Sequence, residues 1–257
     1  MKKRVISAIV ALIIFIPLVY LGGMYFKVAA SVLALLAVRE FLNLPGGDKR
    51  PGYVDALIYA VTFLLTFMSK NRQSYYFIGL LFILLLVIYC NDNKKYNADD
   101  AFKLVGMTAL IGSVFHEFIL IGQEGIALFV YLFLITMLTD TYAQFGGMLI
   151  GKHKMAPKIS PNKTWEGSIT GGVFGTLCAA TFYYIVIDPS VSIIGLLLVT
   201  LFLSCLGQLG DLFFSAVKRN HNIKDFSNIM PGHGGVLDRL DSIIFVVIGY
   251  ILLSGII

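Results

Sequence analysis

The strongest constraint on the fold of this chain is a series of nine apolar segments separated by polar stretches. A helix needs about 20 apolar residues to cross the hydrocarbon core of a bilayer, and most of the segments approach that length. Because 58% of the 257 residues are hydrophobic and only 14% are charged, a soluble domain could not cover the apolar surface. The sequence therefore predicts an all-α, polytopic integral membrane protein with about nine transmembrane helices, at 5–21, 25–44, 54–69, 75–90, 102–121, 126–143, 167–187, 192–214 and 242–257.

The basic residues predict how the chain crosses the membrane. The first segment follows Lys2, Lys3 and Arg4 and lacks the small-residue cleavage site of a secretory signal, so we interpret it as an uncleaved helix. A cytoplasmic N-terminus leaves only Lys27, Lys70 and Arg72 on the outer side and satisfies the positive-inside rule. The inner loops then carry Lys49, Arg50, Lys94, Lys95, Lys152, Lys154, Lys158, Lys163, Lys218, Arg219, Lys224 and Arg239.

This charge distribution also bears on the partners of the chain. The net charge of +5 reflects basic loops that face an anionic lipid surface, and it does not indicate nucleic-acid binding. We therefore expect an integral protein of a bacterial plasma membrane, with its active site at the cytoplasmic face.

We interpret residues 1–257 as one polytopic membrane domain. Residues 1–125 form its N-terminal helices, whose few charged groups include Arg39 and Glu40. We expect these two residues to pair with each other or with lipid head groups. Residues 126–257 form the catalytic half, with cytoplasmic loops at 144–166 and 215–241. Within this half, Gly171, Gly172 and Gly175 have the small-residue spacing that is typical of closely packed membrane helices.

Polar residues recur at helical spacing in the eighth apolar segment and just beyond it. Steps of four, three, four and three residues place them on one face of an α-helix. A carboxylate inside an apolar helix would cost several kcal/mol without a cation, which a lysine two turns away or a metal ion could supply. The stripe consists of Ser204, Gln208, Asp211, Ser215 and Lys218.

The polar stretch that follows contains a Pro-Gly-His-Gly-Gly turn at 231–235. Its glycines suggest that the backbone approaches a ligand closely, and we expect His233 to bind phosphate or anchor the loop. Asp238 and Asp241 lie three residues apart, so they share a face if the next helix starts near residue 236.

The acidic residues of this region predict a magnesium site. Carboxylate oxygens without a His or Cys cluster suit Mg²⁺, which binds one or two carboxylates together with substrate phosphates. The expected ligands are Asp211, Asp238 and Asp241, and Asp140, at the end of the sixth segment, is a fourth candidate.

Basic residues beside these carboxylates predict phosphate binding. Lys218, Arg219, Lys224 and Arg239 can neutralise phosphate charge. The alternative is a buried network of salt bridges, in which Asp211 pairs with Lys218 and Asp238 pairs with Arg239.

The stretch 151–167 supplies a second basic group. Pro157 and Pro161 break helices, so we expect an ordered loop here. Lysines with Ser and Thr donors can bind phosphate oxygens.

Two blocks of the chain resemble the phosphatidate cytidylyltransferase family, the CDP-diacylglycerol synthases. The first block is Ser215-x2-Lys218-Arg219-x4-Lys224-Asp225-x-Ser227-x3-Pro231-Gly232-His233-Gly234-Gly235-Val236-x-Asp238-Arg239-x-Asp241, and the second runs from Ser160 to Gly167. Departures from the family pattern at Tyr142, Gln144, Met148 and Met230 leave the metal and phosphate groups in place.

The resemblance implies that CTP and phosphatidate react, with Mg²⁺, to give CDP-diacylglycerol and pyrophosphate. It implies a catalytic set of Asp211, Lys218, Arg219, Asp238 and Arg239. It also implies a phosphate-binding set of Ser160, Asn162, Lys163, Thr164, Ser215, Lys224, His233, Gly234 and Gly235. A homodimer is expected as well.

Two other functions stay open on the sequence. A CTP-dependent lipid kinase of the polyprenol or phytol type would use similar residues but release CDP. A cation transporter could use Glu117, Asp140 and Asp211 within the membrane.

Overall fold

The computed structural model of the chain describes residues 13, 17–45, 50–68, 73–91, 98–230, 232 and 234–253. Most of these residues are helical, and one two-stranded antiparallel sheet accompanies the helices. The elements are α1 (Gly23–Leu42), α2 (Gly52–Phe63) with a π-helical turn at Leu64–Met68, α3 (Gln73–Asn91), α4 (Ala98–Glu124), α5 (Ile126–Ile150), β1 (Lys154–Ala156), β2 (Ser160–Thr164), α6 (Trp165–Val186), α7 (Ile193–Asn220) and α8 (Leu237–Leu253).

Four helices of the described chain, α4 to α7, are long and apolar enough to cross a membrane. Shorter apolar helices lie at Gly52–Phe67 and Tyr76–Cys90. An all-α integral membrane protein is therefore confirmed, apart from the small sheet. Most of the first predicted segment, 5–21, lies outside the described residues.

Both polar segments that were predicted as loops are shorter than expected. The helix α5 continues through residues 144–150 although these include Gly146 and Gly147, where a Cβ atom would lie 2.6 Å from the Thr170 side chain and 3.1 Å from the Thr164 hydroxyl. Likewise, α7 includes residues 215–220 and ends at Asn220, with His221 as its C-cap, and the left-handed backbone of Asn222 (φ 56°) follows. The segments without helix are therefore 151–164, which contains the hairpin, and 221–236.

The chain divides into two compact units, of which the first comprises Met1–Gln123 and Asp225–Leu237. Its helices pack through small residues as well as large ones. A Cβ atom on Gly112 would lie 2.7 Å from the Leu65 side chain, and one on Gly122 would meet the ring of Phe26. Leu65 is fully buried in this core.

The second unit comprises Glu124–Lys224 and Asp238–Ile257. In this unit α5 and α6 pack with their backbones in close contact. A Cβ atom on Gly171 would lie 2.5 Å from the carbonyl oxygen of Thr139, and one on Gly175 would lie 2.7 Å from the Thr139 hydroxyl. The predicted role of these two glycines in close helix packing is thus confirmed. Gly172 faces a looser environment, where the nearest atoms would be 3.7 Å away.

This contrast between neighbouring glycines gives a stability prediction. The G171A variant should be destabilised by about 1–3 kcal/mol, because the added methyl group would force the two helix backbones apart. The G172A variant is the matched control, and its melting temperature should equal that of the wild type. Thermal unfolding of the purified protein in detergent measures both, and equal melting temperatures would contradict the packing described for α5 and α6.

Candidate functional site

The predicted polar stripe lies on a single helix, α7, and its members make polar contacts with four other elements of the second unit. The hydroxyl of Ser204 lies 2.8 Å from that of Thr139 on α5. Gln208 forms two hydrogen bonds with Ser168 on α6, since it accepts from the Ser168 hydroxyl and donates to the Ser168 carbonyl. Polar groups in an apolar interior need such partners, so the stripe fixes α7 against its neighbours.

Asp211 on α7 pairs with Lys163 on strand β2. The Lys163 ammonium lies 2.5 Å from Asp211 Oδ2, and both side chains are about a quarter exposed, at 27% and 26%. The Ser215 hydroxyl donates to Asp211 Oδ1 at 3.2 Å. The hairpin brings Lys163 to Asp211, so the cation that pairs with this carboxylate is Lys163 rather than the suggested Lys218.

Lys218 instead pairs with Asp238, in the first turn of α8. Its ammonium lies 2.7 Å from Asp238 Oδ1, and the two side chains are only 10% and 3% exposed. A carboxylate in a first turn also interacts favourably with the helix dipole. The salt bridges of the structure thus have other partners than those of the salt-bridge alternative, Asp211 with Lys218 and Asp238 with Arg239. Arg239 is exposed.

Two further carboxylates of the second unit interact electrostatically with Asp211. Asp140 on α5 and Asp241 on α8 each interact electrostatically with Asp211 and with each other. Gly210 lets α8 come close to α7, because a Cβ atom there would lie 2.7 Å from the backbone oxygen of Asp241. The second unit thus places Asp140, Asp211 and Asp241 within electrostatic range of one another, whereas Asp238 pairs with Lys218.

The donor set can be compared with the needs of Mg²⁺. In the described part of the chain, no group of three His, Cys, Asp or Glu side chains is placed to hold a metal ion. Mg²⁺ does not require one, since it keeps several waters and takes only one or two carboxylates beside substrate phosphates. One or two of the carboxylates of Asp140, Asp211 and Asp241 would meet that requirement. The metal itself stays a prediction.

The polar segment before α6 forms a hairpin rather than a loop, with Lys154 paired to Thr164 and Ala156 paired to Ser160. The Thr164 hydroxyl caps α6 by accepting a hydrogen bond from the Gly167 amide. This hydroxyl is buried, whereas Asn162 is exposed and Ser160 is half-buried. Thr164 thus has a structural role, and its phosphate-binding role stays a prediction.

Glu166 also stabilises the hairpin. Its carboxylate accepts hydrogen bonds from the backbone amides of Lys152 and His153, at 3.1 and 3.2 Å. The His153 Nδ1 atom lies 2.5 Å from the same carboxylate. Since β2 carries Lys163, Glu166 helps to set the position of that lysine.

Arg219 connects α7 to two neighbouring backbone segments. Its guanidinium donates to the carbonyl oxygen of Ile159 at 3.3 Å and to that of Ile223 at 3.0 Å. The side chain is exposed, as is that of Lys224. Both cations can therefore reach a ligand phosphate from the solvent side.

The glycine turn belongs to the first unit, and the conformation of the chain explains two of its glycines. Gly232 and Gly234 have φ values of 80° and 84°, which residues other than glycine rarely adopt. Met230 and Gly234 exchange two backbone hydrogen bonds that close the turn. His233 lies outside the described residues, so its role stays a prediction, as do the ligand contacts of Gly234 and Gly235.

Comparison with known proteins supports the chemistry suggested by this geometry. The sequence model of the cytidylyltransferase family matches residues 2–256. The chain belongs to the cytidylyltransferase family. It is 41% identical over 251 residues to a phosphatidate cytidylyltransferase of Staphylococcus haemolyticus, and 96% of each chain is covered. It is also 40% identical over 253 residues to the protein of that name from Staphylococcus aureus strain COL, again with 96% of each chain covered.

Sequence reasoning missed two acidic residues of this cytidylyltransferase family member. Glu166 was overlooked as a support of the hairpin, although its position just before a predicted helix start suggested a capping role. Glu40 was expected to pair with Arg39 or lipid, but it is buried and binds Ser227 and two backbone amides. The signal in both cases was a carboxylate next to an apolar run.

The buried pair of Lys218 and Asp238 gives a second prediction. The D238N variant should lose about 3–5 kcal/mol of stability, because it removes a carboxylate from a buried ammonium group. Adding K218M to D238N should recover much of that loss. Apparent melting temperatures in detergent measure both effects.

The D211N variant is the control for this prediction. The Lys163–Asp211 pair is partly exposed, and such pairs contribute only about 0–1 kcal/mol. A D238N protein as stable as D211N would contradict a structural role for the buried pair.

Proposed function

We propose that this chain is a phosphatidate cytidylyltransferase, which makes CDP-diacylglycerol and pyrophosphate from CTP and phosphatidate. The observation that carries the proposal is the polar face of α7, where the carboxylate of Asp211 and the ammonium of Lys218 each meet an opposite charge from another element. Membership of the cytidylyltransferase family and the names of the relatives support the same reaction.

The reaction needs positioning and charge neutralisation more than proton transfer. A phosphate oxygen of phosphatidate attacks the α-phosphorus of CTP, and the bond between the α- and β-phosphates breaks as pyrophosphate leaves. The attacking oxygen is already anionic, so the protein need not form a covalent intermediate. Phosphoryl-transfer enzymes act mainly by holding such groups in line and offsetting their charge.

Basic and polar residues of the second unit are suited to hold the phosphates. Lys163 forms an ion pair with Asp211 in the structure. Phosphate oxygens can compete with the Asp211 carboxylate for the Lys163 ammonium. Arg219 and Lys224 are exposed near the end of α7. We assign these three cations to phosphate binding, together with Ser160, Asn162, Thr164, Ser215 and Arg239.

Lys218 has a different role in this proposal. Its ammonium is held by Asp238 in a buried pair, so it sets the local charge and the position of α8.

Mg²⁺ is the proposed cofactor, and Asp211, Asp241 and Asp140 are its proposed ligands, with Asp238 close by on the same turn as Asp241. When bound, the ion would withdraw charge from the phosphates and the departing pyrophosphate. The protein contributes the carboxylates and holds them in place. Ser215, which donates to Asp211 Oδ1 at 3.2 Å, restricts how that carboxylate can turn.

We further propose nine transmembrane helices, a cytoplasmic N-terminus and an active site at the cytoplasmic face. The excess of Lys and Arg in alternate loops supports this orientation. Phosphatidate would then enter from the inner leaflet, where its charged head group reaches the basic residues. A homodimer, which only the family resemblance implies, stays a prediction.

The reaction can be tested directly on the purified chain in detergent or liposomes. With α-³²P-CTP, phosphatidate and Mg²⁺, label should enter the lipid in step with pyrophosphate release, and chelation of the metal should stop both. Transfer of label from γ-³²P-CTP to a lipid alcohol would instead support a lipid kinase. If the folded protein catalyses neither transfer, the proposed function is wrong.

The D211N variant belongs in the same assay. It should lose at least about 100-fold in kcat, because a carboxylate that orients cofactor and phosphates becomes a neutral amide. Its melting temperature should stay close to that of the wild type, because the pair that it breaks is partly exposed. Near-normal turnover by D211N would contradict its assignment as a metal ligand.

The proposed orientation predicts which side of the membrane each loop faces. On a background without the native cysteines, a cysteine at Lys158, in the hairpin turn, should react with a membrane-impermeant maleimide in inverted vesicles but not in intact cells. A cysteine at Ser190, between α6 and α7, should show the opposite pattern. Both positions are exposed. Labelling of the Lys158 position in intact cells would contradict the proposed orientation.

A further inference from the structure

Glu40 is a buried carboxylate that the proposed chemistry does not use. It lies near the C-terminal end of α1 in the first unit, and the residue is only 2% exposed. A charge in such a place is costly unless hydrogen bonds replace its hydration. Its partners therefore indicate why this chain has an acid at position 40.

Those partners are three donors from a distant part of the sequence. Oε1 accepts from the Ser227 hydroxyl at 2.6 Å and from the Val236 amide at 2.8 Å, while Oε2 accepts from the Leu237 amide at 2.8 Å. All three distances are typical of strong hydrogen bonds to an ionised group. Both carboxylate oxygens accept hydrogen bonds, so Glu40 binds Ser227 as well as the adjacent residues Val236 and Leu237.

The two amides stand at the start of helix α8, which begins at Leu237. The first amides of a helix have no carbonyl partner within it, and the N-terminal end of its dipole attracts a negative charge. Glu40 therefore caps the start of α8 through the Val236 and Leu237 amides, which belong to the same unit as Glu40. A neutral residue at position 40 would leave Asp238 to face this end of the dipole without the Glu40 carboxylate.

Gly235 fits against the same carboxylate. A Cβ atom built on Gly235 would come within 2.6 Å of both Glu40 oxygens, so no side chain can stand there while Glu40 stays in place. The neighbouring glycines, Gly232 and Gly234, are needed for their positive φ values. The third glycine of the turn is thus explained by its contact with Glu40.

We propose that Glu40 is a positioning residue for the cytidylyl-transfer reaction. Its carboxylate fixes the end of the glycine turn and the first residue of α8. Asp238 follows directly in that helix and Asp241 one turn later, so the hold on Leu237 sets where both carboxylates stand. This inference rests on the proposed function and adds a residue of the N-terminal helices to the machinery of the reaction.

The E40Q variant tests this proposal because glutamine keeps the shape of the side chain but has one acceptor oxygen in place of two. In the full-length protein, kcat should fall by about 10- to 100-fold, as when other residues that orient reacting groups are replaced. The KM for CTP should change by less than about threefold, because the proposed phosphate-binding cations on β2 and α7 are not bound by Glu40.

Hydrogen exchange, read by mass spectrometry, supplies a measurement that does not depend on activity. In E40Q, peptides that contain Val236 and Leu237 should exchange at least about tenfold faster, since a charge-assisted hydrogen bond has been lost. Peptides from α5 and α6 should exchange as in the wild type. The S31A variant is the matched control: Ser31 is on the same helix and equally buried, but the hydrogen bond of its hydroxyl in the described part of the chain goes to the Lys27 carbonyl within α1.

A double-mutant cycle tests the contact with Gly235. The G235A variant should lose activity to a similar extent, because the new methyl group displaces the carboxylate. If Gly235 serves Glu40, the E40A/G235A double variant should be no less active than E40A. Losses that simply add would overturn this part of the proposal.

The outcomes separate the proposal from the function on which it rests. Lower kcat with faster exchange confined to residues near 227–237 supports positioning. Unchanged kcat in an E40Q protein overturns it, and so does faster exchange throughout the chain with a loss of global stability, because Glu40 would then be merely structural. A wild-type protein that transfers no cytidylyl group refutes the proposed function, while the exchange data still show whether Glu40 holds the turn.

Discussion

The constraint on which this structure depends is that a charge inside an apolar helical protein must find a partner. Asp211, Lys218 and Asp238 each lie in helices that are otherwise mainly apolar, and each meets an opposite charge. Because an isolated charge in such surroundings is costly, these pairs limit how the elements of the second unit can be arranged. The groups that suit the chemistry are therefore also groups that hold the fold.

The two ion pairs of the second unit differ in a way that suggests a division of roles. The Lys218–Asp238 pair is almost completely buried, whereas the Lys163–Asp211 pair is about a quarter exposed. A buried pair is costly to break, and a partly exposed pair contributes little to stability. The first pair is thus suited to fix α8 on α7. The second can open to phosphate or metal at small cost, which is what a substrate site requires.

The glycine turn shows how a motif can have more than one physical cause. Two of its glycines satisfy backbone angles and the third makes room for Glu40. From the sequence alone, all three suggested close approach of a ligand. Glu40 itself lies far away in the sequence, and its link to the turn becomes visible only when its hydrogen bonds to Ser227, Val236 and Leu237 are known.

The sequence by itself determined the membrane character, the helical stripe on α7 and the residue types of the site, because hydrophobic length and helical spacing are local properties. It also carried the two blocks that resemble the family. The tertiary structure alone decided which charges pair, since Lys163 reaches Asp211 only through the hairpin and Lys218 reaches Asp238 only through the packing of α8. It also decided the partners of Glu40. Partner choice depends on distances between elements far apart in the chain, and periodicity along one helix does not contain those distances.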